Sequence, residues 1–111
     1  VYRTIKTIGL DNPGRRHPTS ILVFPREMNG WNGKKRLFHP TQKPVALFEF
    51  IVRSYTDPGA VVLDNCMGSG TTALACIASG RHYIGIEKDP GYVSVANERI
   101  DWIRRRIENA A

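Results

Sequence analysis

The chain has 111 residues, 41% of them hydrophobic, enough for one small core. Sixteen Lys and Arg against ten Asp and Glu leave a formal charge of +6, which favours a polyanionic partner without establishing one. No apolar run reaches membrane-spanning length and no charged-then-apolar leader is present; Cys66 and Cys76 form neither a Cys-x-x-Cys pair nor a zinc spacing, so no metal is expected, and reduced thiols in a soluble, cytoplasmic protein are. The first residue is Val1 rather than an initiator Met, so an N-terminal portion is expected to be absent.

Val1 to Leu10 sets Ile5 and Ile8 among Lys and Arg, reads as an edge strand or a severed tail, and carries no chemistry. Asp11-Asn12-Pro13-Gly14 is a turn signal, and Arg15-Arg16-His17 after it is a basic loop that either approaches phosphate or is a solvated bend. Ser20 to Phe24 reads as a strand closed by Pro25. Asn29 to Arg36 mixes glycine, Trp31 and the cations Lys34, Lys35 and Arg36, a composition that tracks a nucleic-acid backbone and stacks on a base, or serves as a linker.

In His39-Pro40-Thr41-Gln42-Lys43-Pro44 the two prolines fix an extended entry to a helix starting near Pro44. Phe48, Ile51, Val52 and Tyr55 follow at i, i+3, i+4 and i+7, a face expected to pack on a sheet as core rather than as a site. Asp57-Pro58-Gly59 leads to an apolar strand, Ala60 to Leu63, and then to Asp64-Asn65-Cys66-Met67-Gly68-Ser69-Gly70, after which Thr71 to Ala78 is free of Gly and Pro and predicts a helix. Strand, glycine turn and helix start together suit a small, partly anionic cofactor, because the first amides of a helix are donors at its positive end.

A P-loop is excluded: before Gly33-Lys34 the required first glycine is replaced by Met28. Gly68-x-Gly70-x-x-Ala73 keeps a dinucleotide fingerprint open. Arg81 to Glu87 reads as a second strand ending in an acid, and an acid in that place accepts hydrogen bonds from ribose hydroxyls in doubly wound folds. Asp89 before Pro90 is a helix cap followed by an N1 proline, and Val93, Ala96, Ile100, Ile103 and Ile107 continue at helical spacing.

Taken together and in this order, His39 to Pro44, Asp64 to Thr72 and Ile84-Gly85-Ile86-Glu87 resemble the β-class amino-group DNA methyltransferases, N6-adenine and N4-cytosine enzymes that use S-adenosylmethionine. The resemblance runs from about Pro18 to about Ile103. It implies an α/β chain, part of a Rossmann-like methyltransferase fold in αβα layers, with residues 1–38 as a strand and basic loops left from a larger domain and 39–111 as the cofactor-binding part. His39 to Pro44 is then expected on the methionine side, with Thr41 and Lys43 as its polar contributors, Asp64, Asn65, Cys66, Gly68, Ser69, Gly70, Thr71 and Thr72 along the loop, and Glu87 and Lys88 at the ribose. The family usually has Pro-Phe where this chain has Asn65-Cys66.

The resemblance further implies double-stranded DNA as partner and a restriction-modification setting; the candidate phosphate contacts, from the composition of the basic loops, are Arg15, Arg16, Lys34, Lys35 and Arg36. Asp89-Pro90-Gly91-Tyr92 looks like the family's catalytic Asp-Pro-Pro-Tyr, yet it follows the ribose strand and is read as a cap, with Tyr92 flanking the cofactor's adenine; Arg104 to Arg106 read as a solvated helix face or partners of the helix C-terminal dipole, less often as a phosphate contact. No Pro-Pro occurs in the chain, so no catalytic residue is assigned; cofactor binding without turnover is expected, with the catalytic motif in the missing N-terminal part or another subunit. Two other readings remain: an NAD-binding oxidoreductase module, and a cofactor-binding fragment without chemistry.

Overall fold

A computed structural model describes residues 21–25 and 41–111. Five elements follow one another: α1 (Val45–Tyr55), β1 (Val61–Asp64), α2 (Thr71–Ala78), β2 (His82–Gly85) and α3 (Pro90–Ala110). β1 and β2 pair in parallel with Val61 beside His82 and Leu63 beside Ile84, so β1-α2-β2 is a crossover unit. The glycine loop lies where that unit turns from β1 into α2.

Alternation along the strands gives the sheet two unlike faces. Val62 and Tyr83 face the helices, where Val52 of α1 meets Ala75 and Cys76 of α2, and Ala73 and Leu74 of α2 meet Ile100 of α3. The opposite face carries Val61, Leu63, Ile84 and Ile86, all more than half exposed. α2 is the centre of the packing, and small side chains let the neighbouring helices approach it: Ala73, Ala75 and Cys76 are fully buried.

Gly70 shows why the loop has its sequence. It caps α2 at φ +83°, and a Cβ there would stand 2.9 Å from that of Ala96 on α3. Both the backbone sign and the helix contact require a glycine.

Arg81 is buried between two helix ends. Its Nε donates to Thr56 Oγ1 at 3.1 Å, its Nη2 to Thr56 O at 2.8 Å and its Nη1 to Ser79 O. Thr56 and Ser79 are the C-caps of α1 and α2, so one cation answers the negative ends of both helices.

Three expectations are corrected. Residues 21–25 lie in neither a helix nor a strand, although Ser20 to Phe24 has strand composition; the sheet of the described residues holds only β1 and β2, and without a neighbouring ladder a run of β-branched residues stays irregular. The inward line of α1 is Val45, Phe48 and Val52, while Ile51 and Tyr55 are 42% and 70% exposed, because α1 packs against α2 as well as the sheet and is rotated accordingly. The second strand stops at Gly85, short of Glu87, although Ile86 still donates to Asp64 O at 2.8 Å. Arg15, Arg16, Lys34, Lys35, Arg36 and His39 lie outside the described residues.

Candidate functional site

The loop after β1 is held in shape by two carboxylates. Asp64, the last residue of β1, accepts from Cys66 N–H at 3.0 Å through Oδ1 and from the Thr72 hydroxyl through Oδ2, tying the end of the strand to the first turn of α2. Glu87 reaches back from beyond β2: Oε2 accepts from Gly68 N–H at 2.9 Å and Oε1 from Asp89 N–H at 2.9 Å. The Asp89 amide, helped by those of Gly68 and Lys88, holds the Glu87 carboxyl below its ordinary range, against partial desolvation and the charge of Asp89. Met67 N–H donates to Ile86 O at 2.9 Å, so loop and strand end form one braced unit.

The segment before α1 closes the other side. Ser69 Oγ donates to Gln42 Oε1 at 3.3 Å and Thr71 Oγ1 to the Lys43 carbonyl at 3.5 Å. Between this segment, the loop and Glu87 lies a cleft of about 420 Å³, within the range of roughly 300–1,000 Å³ usual for small-molecule sites. Two acids, a cation, hydroxyls, a thiol and loop backbone border it.

Of the residues singled out from the sequence, Thr41, Lys43, Asp64, Cys66, Gly68, Ser69, Thr71 and Glu87 line this cleft. Asn65 and Lys88 are exposed outside its lining, Gly70 is buried under α3, and Thr72 is buried with its hydroxyl on Asp64. Asp89 is a cap, its Oδ1 accepting from Gly91 N–H at 2.8 Å and Tyr92 N–H at 3.1 Å, and Tyr92 does not line the cleft. Arg104, Arg105 and Arg106 are exposed on α3, with Arg106 stacked 4.9 Å over the Trp102 ring.

Gln42 and Met67, which lie within the two motifs but are not singled out from the sequence as contacts, also line the cleft, as does Phe48; Arg99, which sequence reasoning missed, is buried behind it. Phe48 was expected to be core alone; standing one turn into α1, it serves both the core and the cleft wall. Arg99 left a readable signal, a cation among Ala96, Ile100 and Ile103 on the stripe that faces α2.

Cys66 and Cys76 are free thiols, the first exposed in the loop and the second buried in α2. Burial pushes the Cys76 thiol up, a shift that the Arg81 charge opposes and that of Asp64 assists. Among the described residues no cluster of His, Cys, Asp or Glu could hold a metal ion, and no helix is long and apolar enough to cross a membrane.

A parallel β-α-β unit with helices on one face, a glycine turn at the strand end and an acid beyond the next strand defines part of a Rossmann-like cofactor-binding module. Comparison with known proteins gives the family: residues 4–98 match the model of the DNA methylases, and the chain belongs to that family of N6/N4 amino-group methyltransferases. It is 48% identical over 84 residues to the DNA adenine methyltransferase YhdJ of Escherichia coli (strain K12), covering 76% of this chain and 28% of YhdJ. Among solved structures, the M1.HpyAVI–SAM complex matches with a TM-score of 0.56 at 48% identity, over 58% of this chain and 32% of that one. The cytosine-N4-specific PvuII DNA methyltransferase matches with a TM-score of 0.62 at 31% identity, over 85% and 39%. The chain spans between 28% and 36% of the length of the curated relatives it matches. These matches lend no support to an oxidoreductase.

Proposed function

We propose that this chain forms the S-adenosylmethionine side of a DNA methyltransferase acting on the exocyclic amine of adenine or cytosine, with residues 39–111 as the cofactor-binding part. The observation that carries this reading is the single cleft bordered by Glu87, by Lys43 and by the loop that opens α2. Each is suited to a different piece of one ligand. Glu87 accepts from ribose hydroxyls, since each carboxylate oxygen keeps a lone pair beyond the amide it already binds. Lys43 and the Thr41 hydroxyl are suited to the amino-acid end, where a cation and a donor pair with a carboxylate, while Ser69 and Thr71, which donate to Gln42 and to the Lys43 carbonyl, fix the segment that carries them. Phe48 and Met67 supply apolar wall. Asp64 shapes the loop through Cys66 and Thr72, and the thiol of Cys66 borders the ligand.

When bound, the cofactor supplies an electrophilic methyl group on a sulfonium. The protein's part is to orient it toward an amine that has left the duplex stack. Holding that amine is the work of an Asp-Pro-Pro-Tyr-type tetrapeptide, and none is present in these residues, so the chain alone binds cofactor without methylating DNA. Arg15, Arg16, Lys34, Lys35 and Arg36 are proposed as contacts to DNA phosphates, in keeping with the net charge of +6. The cofactor in the M1.HpyAVI complex and the substrates named for YhdJ and the PvuII enzyme support the reading.

Thermal melting distinguishes the cofactors. S-adenosylmethionine at about 100 times its Kd is expected to raise stability by about 2.7 kcal/mol, seen as a higher Tm, while NAD leaves the melt unchanged. Stabilisation by NAD instead would overturn the assignment.

A further inference from the structure

Gly85 is the last residue of β2 and lies on the face that Tyr83, two residues before it, turns toward the helices. The side chain of Met67 fills the place that a side chain at residue 85 would take. A Cβ there would overlap Met67 Sδ and stand 2.9 Å from its Cε and 3.2 Å from its Cγ. A glycine weakens the strand that holds it and marks a point where something comes close to the backbone. Here a thioether of the glycine loop comes close. The Met67 backbone is fixed by the N–H donated to Ile86 O at 2.9 Å, and its side chain packs on the cluster of Ala73, Leu74 and Ile100.

Met67 also lines the cleft, and its neighbours give its place there. Gly85 and Ile86 lead directly to Glu87, whose carboxylate accepts from the amide of Gly68, the residue after Met67. Met67 therefore stands at the end of the cleft where Glu87 accepts from ribose hydroxyls. A thioether lifted off residue 85 meets filled core at Ala73, Leu74 and Ile100, all buried, and open volume in the cleft. We infer that Gly85 is a positioning residue: by seating Met67 against the strand it sets the width of the cleft beside Glu87, where the ligand's nucleoside is held. The inference rests on the cofactor reading given above and deepens it. Gly85 is not part of the cleft lining; it acts through Met67.

The test is calorimetric titration of the full chain with 5′-methylthioadenosine and S-adenosylhomocysteine, which share the nucleoside and differ in the amino-acid part. Titrations are made below the melting onset of every variant, so that a loss of affinity is not a loss of fold. Gly85→Ala lifts Met67 into the cleft and is expected to weaken both ligands by the same factor, roughly tenfold or more. With Met67→Ala in place the added methyl at residue 85 meets no thioether, so the double variant is expected to bind within about twofold of Met67→Ala alone. Met67→Ala by itself removes apolar wall and should weaken both ligands roughly threefold or more, which keeps the inference testable if Gly85→Ala does not fold. Undiminished binding by a folded Gly85→Ala chain, additive losses in the double variant, a loss confined to S-adenosylhomocysteine, or unchanged binding in Met67→Ala would each overturn the role and leave the cofactor reading standing. An unsubstituted chain that binds neither ligand would overturn that reading, and this inference with it.

Discussion

Glu87 shows most directly how one side chain joins fold and site. Its carboxylate braces Gly68 in the loop and Asp89 at the start of α3, and these amides hold its pKa low. A carboxyl whose folded pKa is depressed stabilises the fold fully above its ordinary, unfolded value, and that contribution is lost as pH falls through the lower folded value. The urea midpoint is therefore expected to fall with acidification below the usual carboxylate range. Glu87→Gln should flatten that part of the profile, and an unchanged slope would contradict the brace. At Gly70 the cost is steric: φ is +83° and Ala96 blocks a Cβ, so Gly70→Ala should lower stability by about 2 kcal/mol or more, measured by chemical denaturation. The same substitution pushes α3, and with it Arg99, away from Ser69.

At the scale of elements, most of the helix and strand order was legible from the chain. β1, α2 and α3 follow from an apolar β-branched run, an uninterrupted small-residue run and an Asp-Pro cap, all local signals. The cap makes its own prediction. Asp89 accepts from two first-turn amides, and Asp89→Ala should cost about 1 kcal/mol, read from the shift in urea midpoint; a neutral result would mean that Glu87 alone holds this helix start. What was not legible depended on tertiary neighbours. The rotation of α1 that buries Val52 and exposes Tyr55 is set by α2, and the irregular state of residues 21–25 goes with a sheet that holds two strands among the described residues. Gln42 and Met67 stand inside the two cofactor motifs but were not singled out as contacts, because nothing local distinguishes a lining glutamine or methionine from a surface or core one. Arg99 was a missed chance, since a cation on an apolar stripe is a local irregularity that asks for a buried partner.

At the scale of the whole molecule, the described residues form two layers, with helices on one face of a parallel sheet and Val61, Leu63, Ile84 and Ile86 exposed on the other. Parallel sheets in α/β proteins are covered on both faces, and this chain spans between 28% and 36% of the curated relatives it matches. The candidate site sits at the loop end of the sheet, and its braces among the described residues come from residues 42 to 99. The cleft is therefore expected to bind its ligand within this chain. The direct measurement is calorimetric titration of the full chain with S-adenosylmethionine, alongside Glu87→Ala. Saturable one-to-one binding, weakened roughly tenfold or more by the loss of the charged acceptor, is the predicted result. A folded chain that gives no binding, or a Glu87→Ala chain that binds as tightly as the original, would contradict it.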